Sequence, residues 1–161
     1  MSYLRFAAMI AVSIVVMFGL MYLNTYTFDH VFFSQTRAWM ALVMGAVMAL
    51  IMLGFMLNMY KHHRANIAIA ATSVAVIVGA LFLVRSQATV NDSAWMKAMI
   101  PHHSIAVLTS RRADIRDPRV RQLAARIIEA QLREIAEMKQ LIVDLERRPV
   151  PSDAPELPPG R

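Results

Sequence analysis

Three stretches of the chain are almost free of polar side chains, and the segment after them sets apolar residues at helical spacing among charged ones. From Leu4 to Leu23 only Arg5 and Ser13 interrupt the apolar run, about the twenty residues that cross a bilayer core. Similar runs extend from about Ala38 to Met59 and from about Ile67 to Val84. The pattern predicts a membrane domain over residues 1–85, with transmembrane helices at about 4–23, 38–59 and 67–84. A cleaved signal peptide also begins with an apolar run. Here the run is long, its basic flank is Arg5 alone, and no small-x-small site follows Leu23, so a retained helix is expected. Between the first two spans, Asn24 to Arg37 is polar and aromatic, and Tyr22, Tyr26, Phe28, Phe32, Phe33 and Trp39 suit a membrane interface. Small residues recur every four positions as Ala41, Gly45 and Ala49, and again as Ala71, Ala75 and Gly79. Such ridges let helices approach closely, within the chain or between copies.

Past the spans the pattern becomes amphipathic over residues 86–148. Asn91-Asp92-Ser93 offers caps for a helix reaching about Ala113, which Pro101 is expected to interrupt because it cannot donate to the Lys97 carbonyl. Asp117-Pro118 reads as an N-cap followed by proline at the first helical position, opening a helix to about Arg147. Its apolar stripe includes Val120, Leu123, Ala124, Ile127, Ile128, Ile135, Met138, Leu141, Ile142 and Leu145, and Gln131 and Glu134 fall inside it. Polar side chains there need partners. Residues 149–161 are proline-rich and polar and read as a disordered tail. The fold class is all-α: three transmembrane helices followed by an extracytoplasmic antiparallel helical hairpin. One hairpin buries only one stripe per helix, so copies are expected to associate, most simply as a four-helix bundle.

Composition narrows this picture. An apolar share of 57% and a mean hydropathy of +0.45 over 161 residues exceed those of an ordinary soluble domain. The net charge of +6 and pI near 10.3 come without a basic run interleaved with aromatics or glycines, so nucleic acid is not an expected partner. No cysteine occurs, which excludes disulfides and thiolate sites, and thirteen methionines leave thioether as the only soft donor. Arg5, Lys61 and Arg64 fall on one side of a three-span arrangement, against Arg37 and Arg85 on the other. By the positive-inside rule the N-terminus is expected in the cytoplasm of a bacterial inner membrane and the C-terminal segment outside it.

The candidate chemistry is concentrated in Met96-Lys97-Ala98-Met99-Ile100-Pro101-His102-His103. A 100° projection aligns Met96, Met99, His103, Val107 and Ser110, with His102 at the flank. Folding the two outer helices about the Asp114 to Asp117 turn pairs residues whose numbers sum to roughly 231. His103 then comes level with about Ile128, and Gln131, Glu134 and Met138 line up opposite the Met and His stripe.

The motif Met-x-x-Met-Ile-Pro-His-His, followed by Ala-Gln-x-x-Glu-Ile-x-x-Met at Ala130 to Met138, resembles the bacterial "domain of unknown function 305" family over roughly Asp92 to Leu145. The three preceding membrane helices resemble a membrane-anchored branch. The resemblance implies a ferritin-like helical fold, with some relatives binding copper or silver outside the cytoplasm through Met and His. Matching positions are Asp92, Met96, Met99, Pro101, His102, His103, Gln131, Glu134 and Met138. Leu108 departs, standing where relatives often carry methionine, and Gln140 and Leu141 stand where many show an aromatic residue.

Thioethers select Cu(I), which imidazole also accepts, whereas a hard ion wants more carboxylates. The expected function is therefore extracytoplasmic Cu(I) or Ag(I) binding, as a buffer or chaperone serving copper-handling proteins. The metal residues are Met96, Met99, His102, His103, Glu134 and Met138. Glu134 has two readings: acceptor for an imidazole N–H, or partner of a basic residue such as Lys97. The competing function is a structural or interaction module in which methionines fill core gaps. A third reading uses Met40, Met44, Met48, Met52 and Met56, with Met9, Met17 and Met21, as a ladder conducting Cu(I), against plain packing. His62 and His63 read as interfacial polar residues. Paired Glu-x-x-His motifs, a His-Glu-x-x-His helix, a Gly-x-Ser-x-Gly elbow and a phosphate-binding glycine loop are all missing from the sequence, so no enzyme is expected.

Overall fold

A computed structural model describes residues 2–151 and Ala154, and the described residues contain helices and no strand. The helices are α1 (Tyr3–Leu20), α2 (Gln35–Phe55), α3 (His63–Ser86), α4 (Asp92–Arg112) and α5 (Pro118–Arg147). The tail expected to be disordered, 149–161, lies mostly outside the described residues. α1, α2 and α3 are each long and apolar enough to cross a membrane. Short polar side chains set the starts. Ser34 Oγ accepts the Arg37 N–H at 3.3 Å, Asn91 Oδ1 accepts that of Ala94 at 2.9 Å, and Asp117 Oδ1 accepts that of Arg119 at 2.8 Å with Pro118 in the first turn.

α2 is the centre of the membrane unit, with α1 and α3 packed against it and hardly against each other. Its ridge Ala41, Gly45 and Ala49 is buried. A Cβ at Gly45 would stand 2.2 Å from Ile14 Cγ1, so only glycine admits this approach of α1. The second ridge behaves differently. Ala71, Ala75 and Gly79 are exposed, and α3 turns Ser73 and Ala80 inward, so this ridge does not pack within the chain. The second span also ends at Phe55 rather than Met59. The chain winds into a 3₁₀ turn at Leu57–Met59 and tucks Tyr60 against Phe6 and Tyr3. Tyr3 Oη donates to Asn66 Oδ1 at 2.8 Å, tying α1 to the start of α3 at this end.

The opposite end carries the α1–α2 connector together with α4 and α5. Gln87, with φ 53°, closes α3 in the left-handed conformation, and Asn91 restarts the helix. α4 runs unbroken through Pro101, where an interruption was expected. The buried ring of Pro101 packs inside the fold, and the surrounding helical turns carry the element past its missing donor. α4 and α5 pack together, with Met96, Ile100, Ile135, Met138 and Ile142 as their core and Phe32 of the connector against it. Lys97 meets Glu146 and His103 meets Glu134. One number falls as the other rises, so the two helices are antiparallel.

Candidate metal centre

The α4–α5 seam brings together part of the residue set singled out from sequence. Met96 and Met138 are 5% and 6% exposed in one apolar cluster, and Met99 packs at its edge. They share it with three isoleucines and Phe32, so the thioethers lie in a dry environment. His103 is half-buried beside the half-buried Glu134, Nδ1 to Oε2 3.1 Å. The approach is off the line of a hydrogen bond, so Nδ1 has a carboxylate neighbour without an aligned donor–acceptor pair. Gln131 Nε2 reaches the same carboxylate oxygen at 3.5 Å. Glu134 stands beside the imidazole without the hydrogen bond an acceptor of its N–H would make, and Lys97 pairs with Glu146 at 3.3 Å rather than with Glu134. His102 is exposed, its ring centroid 6.0 Å from that of His103, and it stands outside the buried cluster.

The register differs from the level expected by equal rise. His103 meets Glu134, further along α5 than Ile128. Helical side chains slant toward their own N-termini, and in an antiparallel pair both slants displace contacting partners in that direction. The face of α4 is also rotated. Met96, Ile100, Ser104 and Val107 are buried, while Met99 and His103 flank them. α4 packs not on α5 alone but also on α2 and the α1–α2 connector, and its buried face lies between them.

That connector is what sequence reasoning missed. Ser104 Oγ accepts the Tyr26 N–H at 2.7 Å and lies 3.0 Å from Nδ1 of the buried His30. Asp29 forms a 2.6 Å ion pair with Lys139 of α5, and Arg111 donates to the Tyr26 hydroxyl while its guanidinium sits 4.8 Å over that ring. The aromatics of the connector therefore divide. Phe28 and Phe33 stay exposed, as an interface would have them, but Tyr26 and Phe32 dock on α4 and α5. The available signal was Ser104 itself, a small hydroxyl spaced four residues from Ile100 on the buried stripe.

Electrostatics favour the neutral imidazole at His103. Burial holds His103 below its usual pKa; the Glu134 carboxylate works the other way, and His102 adds to the depression. Among the described residues no three His, Asp or Glu side chains converge as a metal site would need. Met96, Met99 and Met138 share one apolar cluster, and thioether is a soft donor.

The comparisons agree with the segment that carries these residues. The family model "Domain of unknown function (DUF305)" matches residues 82–148. An uncharacterised protein of Acanthamoeba polyphaga mimivirus is 35% identical over 102 residues, covering 59% of this chain and 67% of the relative. No solved structure matches. With Met96, Met99, Pro101, His102, His103, Gln131, Glu134 and Met138 all inside the matched segment, the chain belongs to the DUF305 family.

Proposed function

We propose that this protein binds Cu(I) or Ag(I) at the membrane surface, as a tethered buffer or chaperone. The observation that carries the reading is the convergence of Met96 and Met99 from α4 with Met138 from α5 in one dry cluster, beside a His103 whose Nδ1 faces Glu134. Soft sulfur donors in low dielectric suit a monovalent soft ion, and the imidazole supplies a nitrogen. The count of Lys and Arg near the spans supports a cytoplasmic N-terminus in a bacterial plasma membrane, with α4 and α5 on the far side. A ferritin-like bundle would then form from two hairpins, because each leaves apolar side chains of α5 uncovered: Val120, Leu123, Leu141 and Val143 are exposed.

The test is titration of the detergent-solubilised full chain with Cu(I) against a chelating competitor. Tight one-to-one binding is expected, lost when Met96, Met99 and Met138 are all replaced by leucine. Binding that survives those replacements rejects the site. A reporter fused after Arg161 checks sidedness, and activity only in the cytoplasm would overturn the extracytoplasmic assignment.

A second reading has its own supporting observation. The thioethers share their cluster with Ile100, Ile135 and Ile142, and the connector clamps α4 through Ser104, which is what a purely structural bundle also needs. A melting temperature that does not rise with Cu(I) would favour it, since binding to the folded state alone stabilises by mass action.

A further inference from the structure

α1 and α3 both pack on α2 but hardly on each other, and they leave an apolar groove of ≈ 580 Å³ between them, on the membrane helices rather than at Met96, Met99, His103 and Met138. Ala7 and Ala11 of α1 and Ala65 and Ala68 of α3 form its walls, and Ala49 of α2 is the floor. Tyr3 stands at one end and Ile14 at the other, where α1 closes on Gly45. Tyr3 to Ile14 spans about 16 Å of helix. A bilayer core is about 30 Å thick, so the groove runs from one interface to the midplane and stops there.

The Tyr3 end is basic. Arg5, Lys61 and Arg64 are exposed, and among the described residues none of them makes an ion pair. No Asp or Glu occurs among residues 1–28 or 30–91, so every carboxylate of the described helices belongs to the opposite end. A half-depth apolar slot with uncompensated cations at its mouth has the form of one phospholipid.

We propose that this groove is a binding site for an anionic glycerophospholipid, with an acyl chain between α1 and α3 and the phosphate at Lys61 and Arg64. A transmembrane helix from a second copy fits less well, because it needs a contact face running the full bilayer depth. The inference is independent of metal binding.

The full chain in mild detergent is equilibrated with micelles holding equal phosphatidylglycerol and phosphatidylcholine, and retained lipid is counted by native mass spectrometry. One phosphatidylglycerol per chain is expected, in preference to phosphatidylcholine. Each of Lys61→Gln and Arg64→Gln is expected to lower its retention about five-fold, the usual worth of one cation at an anionic surface. Ala11→Phe and Ala68→Phe fill the slot from opposite walls, so that misfolding of one leaves the other decisive; both are expected to abolish retention of either lipid. Equal retention of the two lipids by the wild type overturns the proposal, as does undiminished retention in both phenylalanine variants. Dimers that these variants dissociate would also overturn it, by placing a second copy in the slot.

Discussion

Ser104 Oγ lies 3.0 Å from Nδ1 of His30, joining the middle of α4 to the connector between the first two membrane helices. The same oxygen accepts the Tyr26 N–H, so one buried hydroxyl serves two groups of the connector. Ser104→Ala leaves both without this partner and is expected to cost about 1–3 kcal/mol. The measurement is thermal unfolding of the full chain in detergent; an unchanged melting temperature would mean the connector is not clamped there.

Two pH windows follow from this contact region. Burial lowers the His30 pKa, outweighing the opposing Asp29 carboxylate. The unfolded chain therefore binds the proton more readily, so stability is full above pH 6.5 and declines as pH falls below it toward the depressed folded value. Asp29 shifts for a different reason. The hydrogen bond from Lys139 brings its pKa down to about 2 from 3.8, so its contribution is present above pH 3.8 and is lost as pH falls toward 2. Asp29 is mostly exposed, and the second loss should stay within about 1 kcal/mol. Melting curves of His30→Gln and Lys139→Ala across pH 2–8 separate the windows: the first variant should lose the upper decline, the second the lower.

Replacing Met96 and Met138 by leucine conserves shape and removes sulfur. Each swap is expected to change stability by less than about 1.5 kcal/mol, while Cu(I) affinity falls at least ten-fold. Ile100→Ala in the same cluster should do the reverse, costing about 2–5 kcal/mol through the cavity it opens. Paired melting and chelator-competition measurements read both quantities, and coincident losses in all three variants would indicate packing alone.

Gly45→Ala sets a methyl group 2.2 Å from Ile14 Cγ1, and a β-branched side chain in a helix has little rotamer freedom to yield. A loss of about 1–3 kcal/mol is expected from overpacking. Gly79→Ala is the contrast, since nothing lies within 4 Å of the added carbon, and it should melt at or above the wild type. Equal effects at the two glycines would show that the α1–α2 approach is not close.

Much was legible before any tertiary contact was known, because hydrophobic periodicity and capping are local. Leu4 to Leu23 announces α1, Asp117-Pro118 places the start of α5, and Gln131 and Glu134 stand out as polar residues on an apolar stripe that need partners. The motif residues were likewise visible as a set. Which of them meet was not, because that depends on helix rotation and on the slant of side chains across the seam. Projection from sequence aligned Met99 and His103 with the buried face, but the further partners of α4 turned that face to Ile100 and Ser104.

The sequence by itself determined the helices, their order and the chemistry available, because each follows from residues within a few turns of one another. Only the tertiary structure decided that Glu134 stands beside His103 rather than Lys97, that His102 remains in solvent, that the ridge Ala71, Ala75 and Gly79 faces outward, and that His30 reaches Ser104. Each of these is set by where a distant helix or connector packs. Residues such as His30 and Ser104, 74 positions apart, carry no periodic signal that relates them.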